Sequence, residues 1–111
     1  MQWHVKQDVV IFKPMDKLMG GPECDDAKQT LERLISEGYK HLVMDFSELE
    51  WTNSAGIGSL ISCYHTLRRH EGELKFASPT PKVKYYLSIT KLDQVFHVYS
   101  SVDEAVESFQ Q

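Results

Sequence analysis

Residues 41–58, HLVMDFSELEWTNSAGIG, constrain the fold of this chain more tightly than any other stretch. Residues 41–46 form a short apolar run broken only by Asp45. That pattern suits a strand buried on both faces, as in a parallel or mixed sheet. Residues 47–50 are polar around Leu49, and Trp51 closes the stretch. Thr52, Asn53 and Ser54 are three successive residues able to cap a helix. Small residues (Ala55, Gly56, Gly58) follow, within an apolar pattern of helical period. The hydroxyl of Ser54 therefore falls where strand gives way to helix. A helix start collects unpaired N–H groups and partial positive charge, which favour an anion. The position suits a phosphate.

The rest of the chain repeats the alternation of strand and helix. Trp3, Val5 and residues 9–12 read as two short strands, with Gln7 and Asp8 as a tight hairpin turn between them. Pro14 ends the second strand, and Gly20-Gly21-Pro22 forces a loop. A first helix starts near Pro22 or Glu23, buries Ala27, Leu31, Leu34 and Ile35, and stops at Gly38. A second helix runs from about Ser54 to Arg69, with Ile57, Leu60, Ile61, Tyr64 and Leu67 inward and Gly72 as its stop. Residues 73–77 alternate as a strand, and Thr80 or Ser78 caps a third helix carrying Val83, Tyr86 and Leu87 inward. Residues 95–99 form the last strand. Ser101 and Glu104 make a capping box for a closing helix with Ala105, Val106 and Phe109. The order ββαβαβαβα predicts one α/β domain over residues 1–111, with about four helices. Its sheet is mixed and mainly parallel, with an antiparallel pair at the N-terminus.

Composition narrows the function classes. Sixteen acids against twelve bases give a net charge of −4 with no block of Lys or Arg, so binding to a nucleic-acid backbone is not expected. No apolar run is long enough to span a membrane, and the N-terminus shows no secretory pattern. Cys24 and Cys63 lack metal spacing and read as reduced structural thiols of a cytoplasmic protein. The five histidines form no metal-binding pattern, and no GxSxG, P-loop or GxGxxG motif is present. Neither metal, cofactor nor catalysis is expected.

The segment MDFSELEWTNSAGIG (residues 44–58) resembles STAS domains of the anti-sigma-factor-antagonist type around their phosphorylated serine. KLMGGPE (17–23) is similar to the turn before the first helix in one branch of that family, and residues 89–105 to its closing strand and helix. The resemblance implies a STAS fold and a partner switch that is a substrate, not an enzyme. Unphosphorylated, the protein would bind an anti-sigma factor that is also a GHKL-type serine kinase. Phosphorylation of Ser54 would end the interaction, and a PP2C-type phosphatase would reset it. Asn53, Ser54, Ala55, Gly56, Asp45, Gly20 and Gly21 would form the binding surface of a monomer or weak dimer. Phosphorylation is expected to leave the fold intact.

The chain departs from the family at Asn53, where many relatives carry Asp, and at Ala55, where they carry Ser. Asp16 stands where the KLMGG branch has Gly. Each candidate also has a plainer reading. Ser54 can be a helix cap and no more, Asp45 an acceptor for loop N–H groups, Gly56 and Gly58 packing glycines. Trp51 can be a partner contact or can pack beneath the loop. A STAS adaptor of another signalling or transport system is the alternative function. A phosphoaspartate receiver of similar order fails, because the first strands lack its acidic pair and the last lacks its lysine.

Overall fold

The computed structural model describes residues 2–110. The chain opens with β1 (Gln2–Lys6) and β2 (Val9–Lys13), paired antiparallel. Gln7 and Asp8 turn between them with φ of 52° and 65°, the left-handed pair that a two-residue hairpin requires. After β3 (Asp16–Leu18) come α1 (Pro22–Ser36), β4 (His41–Asp45), β5 (Leu49–Thr52) and α2 (Ser54–Arg69). β6 (Glu73–Ala77), α3 (Pro81–Ile89), a 3-10 turn (Leu92–Gln94), β7 (Val98–Tyr99) and α4 (Val102–Ser108) complete the order. The main sheet runs β1-β2-β4-β6-β7, parallel except for the opening hairpin. This is the expected mixed α/β architecture with four helices.

Every crossover from β2 to β7 steps in the same direction, so right-handed connections lay α1, α2 and α3 on one face. Alternate strand residues confirm the layering. Val10, Phe12, Leu42, Met44, Leu74 and Phe76 pack with Leu31, Leu60 and Leu87 of the three helices. Val9, Ile11, Val43 and Ala77 point the other way and are covered by Ala105 and Val106 of α4. On that side Lys75 is buried: its Nζ donates to Ser108 Oγ at 2.7 Å and lies 4.1 Å from the centre of the Phe109 ring. His41 stacks on the same ring at 4.3 Å.

Three expectations need correction. β3 and β5, not foreseen, form a separate two-stranded parallel sheet, Lys17 opposite Trp51 and Leu18 opposite Thr52. The last strand is only Val98–Tyr99, because Phe96 turns inward to pack edge-on against Tyr64 and tilted against Phe76 while Val95 stays exposed. Finally, Glu71, at φ 63°, makes the left-handed turn after α2. Gly72 serves instead a close approach, since a Cβ there would stand 2.4 Å from the Lys40 carbonyl oxygen.

Candidate functional site

The start of α2 is built by division of labour between two neighbouring residues. Asn53 is extended at φ −141°, and its Oδ1 accepts the Gly56 N–H at 2.9 Å. Its carbonyl accepts the first helical bond, from Ile57 N–H at 2.9 Å. Asn53 is thus the cap, and Ser54 is the first helical residue, which corrects the reading of Ser54 as a cap. Ser54 and Ala55 are exposed, and among the described residues no side-chain hydrogen bond occupies the Ser54 hydroxyl. No acid stands in the first turn of α2, so nothing there offsets its positive end. The site can present a nucleophilic oxygen to an incoming phosphoryl donor and can accommodate the anion that results.

What surrounds the serine is fixed by close packing. Gly56 is buried against β3, where a Cβ would lie 1.9 Å from the Leu18 carbonyl oxygen. Thr52 Oγ1 donates to the same oxygen at 2.9 Å. Gly56 is therefore a packing glycine, whereas Gly58 is exposed with open space around it. Gly20, at φ 88°, brings the loop before α1 onto Ala55, with 3.0 Å left between a hypothetical Cβ and Ala55 Cβ. Gly21, at φ 86°, precedes Pro22 as the cap residue of α1. Asn53, Ser54, Ala55, Gly56 and Gly20 thus come together, with Gly21 beside them.

Asp45 is turned elsewhere. It is 8% exposed at the end of β4, and its carboxylate accepts the Ser47 N–H at 3.0 Å, closing its own turn. Asp16 holds a left-handed φ of 59°, which is the conformation that glycine takes most readily and that Asp tolerates. Its N–H donates to the Glu48 carbonyl at 2.9 Å, so it belongs to the β3–β5 pairing.

Trp51 is exposed, with Lys82 Nζ 4.3 Å from its ring centre. Between β5 and α3 lies a groove of about 180 Å³ lined by Glu50, Trp51, Thr52, Lys82, Val83, Tyr85 and Tyr86. Thr80 fixes its wall: Oγ1 donates to the Leu49 carbonyl at 2.9 Å and caps α3 by accepting the Val83 N–H. Sequence reasoning missed Lys82 and Tyr85; the available signal was an outward spacing of Lys82, Tyr85 and Ile89 on a helix whose inward face was already accounted for. Away from the site, burial pushes the Cys63 thiol up from 9.0 to about 11, with Lys28 pulling weakly the other way. No helix among the described residues is long and apolar enough to cross a membrane.

A mixed sheet with three crossover helices on one face, and a bare serine at the start of the second, define a STAS domain. The chain belongs to that family, whose model matches residues 2–105. A relative in Thermotoga neapolitana, named as an anti-sigma factor antagonist, is 26% identical over 108 residues, covering 97% of this chain and 96% of its own. The crystal structure of a Thermotoga maritima protein of the same designation superposes with a TM-score of 0.86 at 24% identity, covering 99% and 94%. SpoIIAA, described as a Bacillus cell-fate determinant, shares the fold in an unphosphorylated and a phosphorylated form. The unphosphorylated form gives a TM-score of 0.82 at 17% identity over 98% of this chain and 95% of that one. The phosphorylated form gives 0.76 at 16% over 97% of each.

Proposed function

We propose that this protein is an anti-sigma-factor antagonist whose binding face is controlled by phosphorylation of Ser54. Bare, the face around Asn53, Ser54, Ala55 and Gly20 binds an anti-sigma factor that is itself a GHKL-type serine kinase. The kinase transfers the γ-phosphoryl group of ATP to Ser54 Oγ, releasing ADP, and the complex separates. A PP2C-type phosphatase hydrolyses the phosphoserine and restores the bare face. The protein is substrate and switch throughout, and works in the cytoplasm.

The observation that carries this reading is the exposed Ser54 hydroxyl at the first position of a helix whose capping is done by Asn53. A serine relieved of capping has no local bond to lose on modification. A phosphate adds about −1.5 to −2 charges and three acceptors. At this helix start the charge meets the positive end of α2, so the fold tolerates it while a partner's acids do not. The relatives' designation as anti-sigma factor antagonists supports the partner class. SpoIIAA, known in a phosphorylated form, supports the kind of modification.

Phosphopeptide mapping of the protein from its native cells, growing and starved, tests the proposal. Phosphate on Ser54 that varies with growth state is expected. An abundant protein never modified at Ser54 overturns the switch and leaves a STAS adaptor of another system.

A further inference from the structure

α3 is apolar on two sides. Val83 and Leu87 face the core, yet Tyr85 and Ile89, one turn apart, are 68% and 58% exposed. Trp51, 54% exposed, continues the strip across the groove onto β5. A small soluble domain rarely leaves aromatic and aliphatic side chains contiguous on its surface without a partner for them. The same helix has a charge unlike the rest of the molecule. Residues 81–91, PKVKYYLSITK, hold three lysines and no carboxylate. The net charge of −4 becomes −7 once those three are set aside. Lys82 spreads its ammonium over Trp51 at 4.3 Å, and Lys17 is the register partner of Trp51 across β3–β5. Glu50 is the one carboxylate among the lining residues.

We infer that the groove between β5 and α3 is a second docking point for the partner that reads Ser54, and that it takes an acidic segment carrying one large apolar side chain. This rests on the partner-switch reading above. The recess of about 180 Å³ has room for a single side chain of the size of Leu or Phe. Carboxylates flanking that anchor meet Lys82 at the groove, with Lys17 beside Trp51 on the neighbouring strand. An anionic membrane fits less well. A chain of net charge −4 is repelled by such a surface as a whole. Trp51 lies three residues before Ser54, so one partner can span the groove and the serine. The phosphate then appears beside the partner's own carboxylates. Docking and release follow from one charge pattern.

Site-specific photocrosslinking of the full chain in its native cells tests this. Benzoylphenylalanine replaces Tyr85 in one strain. In another it replaces Gly58, which has open space around it one helical turn from Ser54. Both positions are expected to trap the same polypeptide. The position-85 adduct is expected on a peptide with an excess of Asp and Glu around an apolar residue. Lys82→Glu should lower the position-85 yield by about fivefold, the scale of one rim charge pair, with thermal unfolding unchanged. The inference is overturned if position 85 traps lipid, a second copy of this chain or a segment without acidic excess. It is equally overturned if position 85 traps nothing while position 58 does, or if the yield ignores Lys82→Glu. An acidic adduct at position 85 in cells where Ser54 never carries phosphate keeps the groove and removes the switch. Silence at both positions removes the groove whatever the state of Ser54.

Discussion

Asn53 and Ser54 divide what a helix start requires, and the division can be measured. Asn53→Ala deletes the bond to Gly56 N–H and is expected to cost about 1 kcal/mol. In a domain of 111 residues that lowers Tm by about 4 °C. Ser54→Ala removes a hydroxyl without a protein partner and should move Tm hardly at all, as read by circular dichroism in a parallel melt. Equal losses in the two variants would mean that the serine shares the capping. Gly56→Ala should be the most damaging of the three. A methyl group 1.9 Å from the Leu18 carbonyl forces β3 away, at least the cost of overpacking, about 1–3 kcal/mol. Urea unfolding at constant m-value would register it. At position 53 a neutral amide oxygen suffices for the cap.

At the scale of elements, what the sequence disclosed depended on how local the cause was. α2 over Ser54–Arg69 appears as its periodicity predicts, and β6 over Glu73–Ala77 has the expected bounds. β6 is buried on both faces, however, Lys75 included, where its alternation suggested one wetter face. DKL and LEWT are too short to show a period, and they become strands only by pairing with each other from opposite sides of α1 and β4. That pairing is the support of the serine loop. Thr52→Val is expected to cost about 1 kcal/mol by leaving the Leu18 carbonyl without its side-chain donor. Native-state hydrogen exchange should quicken in β3 and β5 while β4 and β6 keep their rates. A uniform change across both sheets would contradict the separation. The place of Ser54 at a helix start was legible through strand, cap and helix in succession, whereas its proposed role comes from the resemblance and not from the spacing. The burial of Asp45 in its own turn was not, since a lone acid at a strand end reads the same whether it faces a loop or a site.

Over the whole molecule, the two layers differ in their tolerance of charge. Beneath α1 and α2 the interior is dry enough to hold Cys63 protonated to about pH 11, whereas an unfolded thiol ionises near 9.0. In that window the unfolded state has already released the proton that the native state keeps. The contribution of Cys63 to stability is therefore constant below about pH 9 and is lost as pH rises toward 11, by about 1.4 kcal/mol per unit at most. Cys63→Ala should flatten that part of the pH profile, as followed by urea midpoints from pH 8 to 11. The chain's own two thiols are thus out of reach of ordinary reagents near neutral pH, since both are buried. A cysteine introduced as Ser54→Cys would be the reverse: exposed, free of local bonds, and at a helix start that favours the thiolate. Maleimide dyes or spin labels would therefore couple at that position alone, with no background substitutions. Arrival and departure of a binding partner could then be followed in real time from the proposed phosphorylation site.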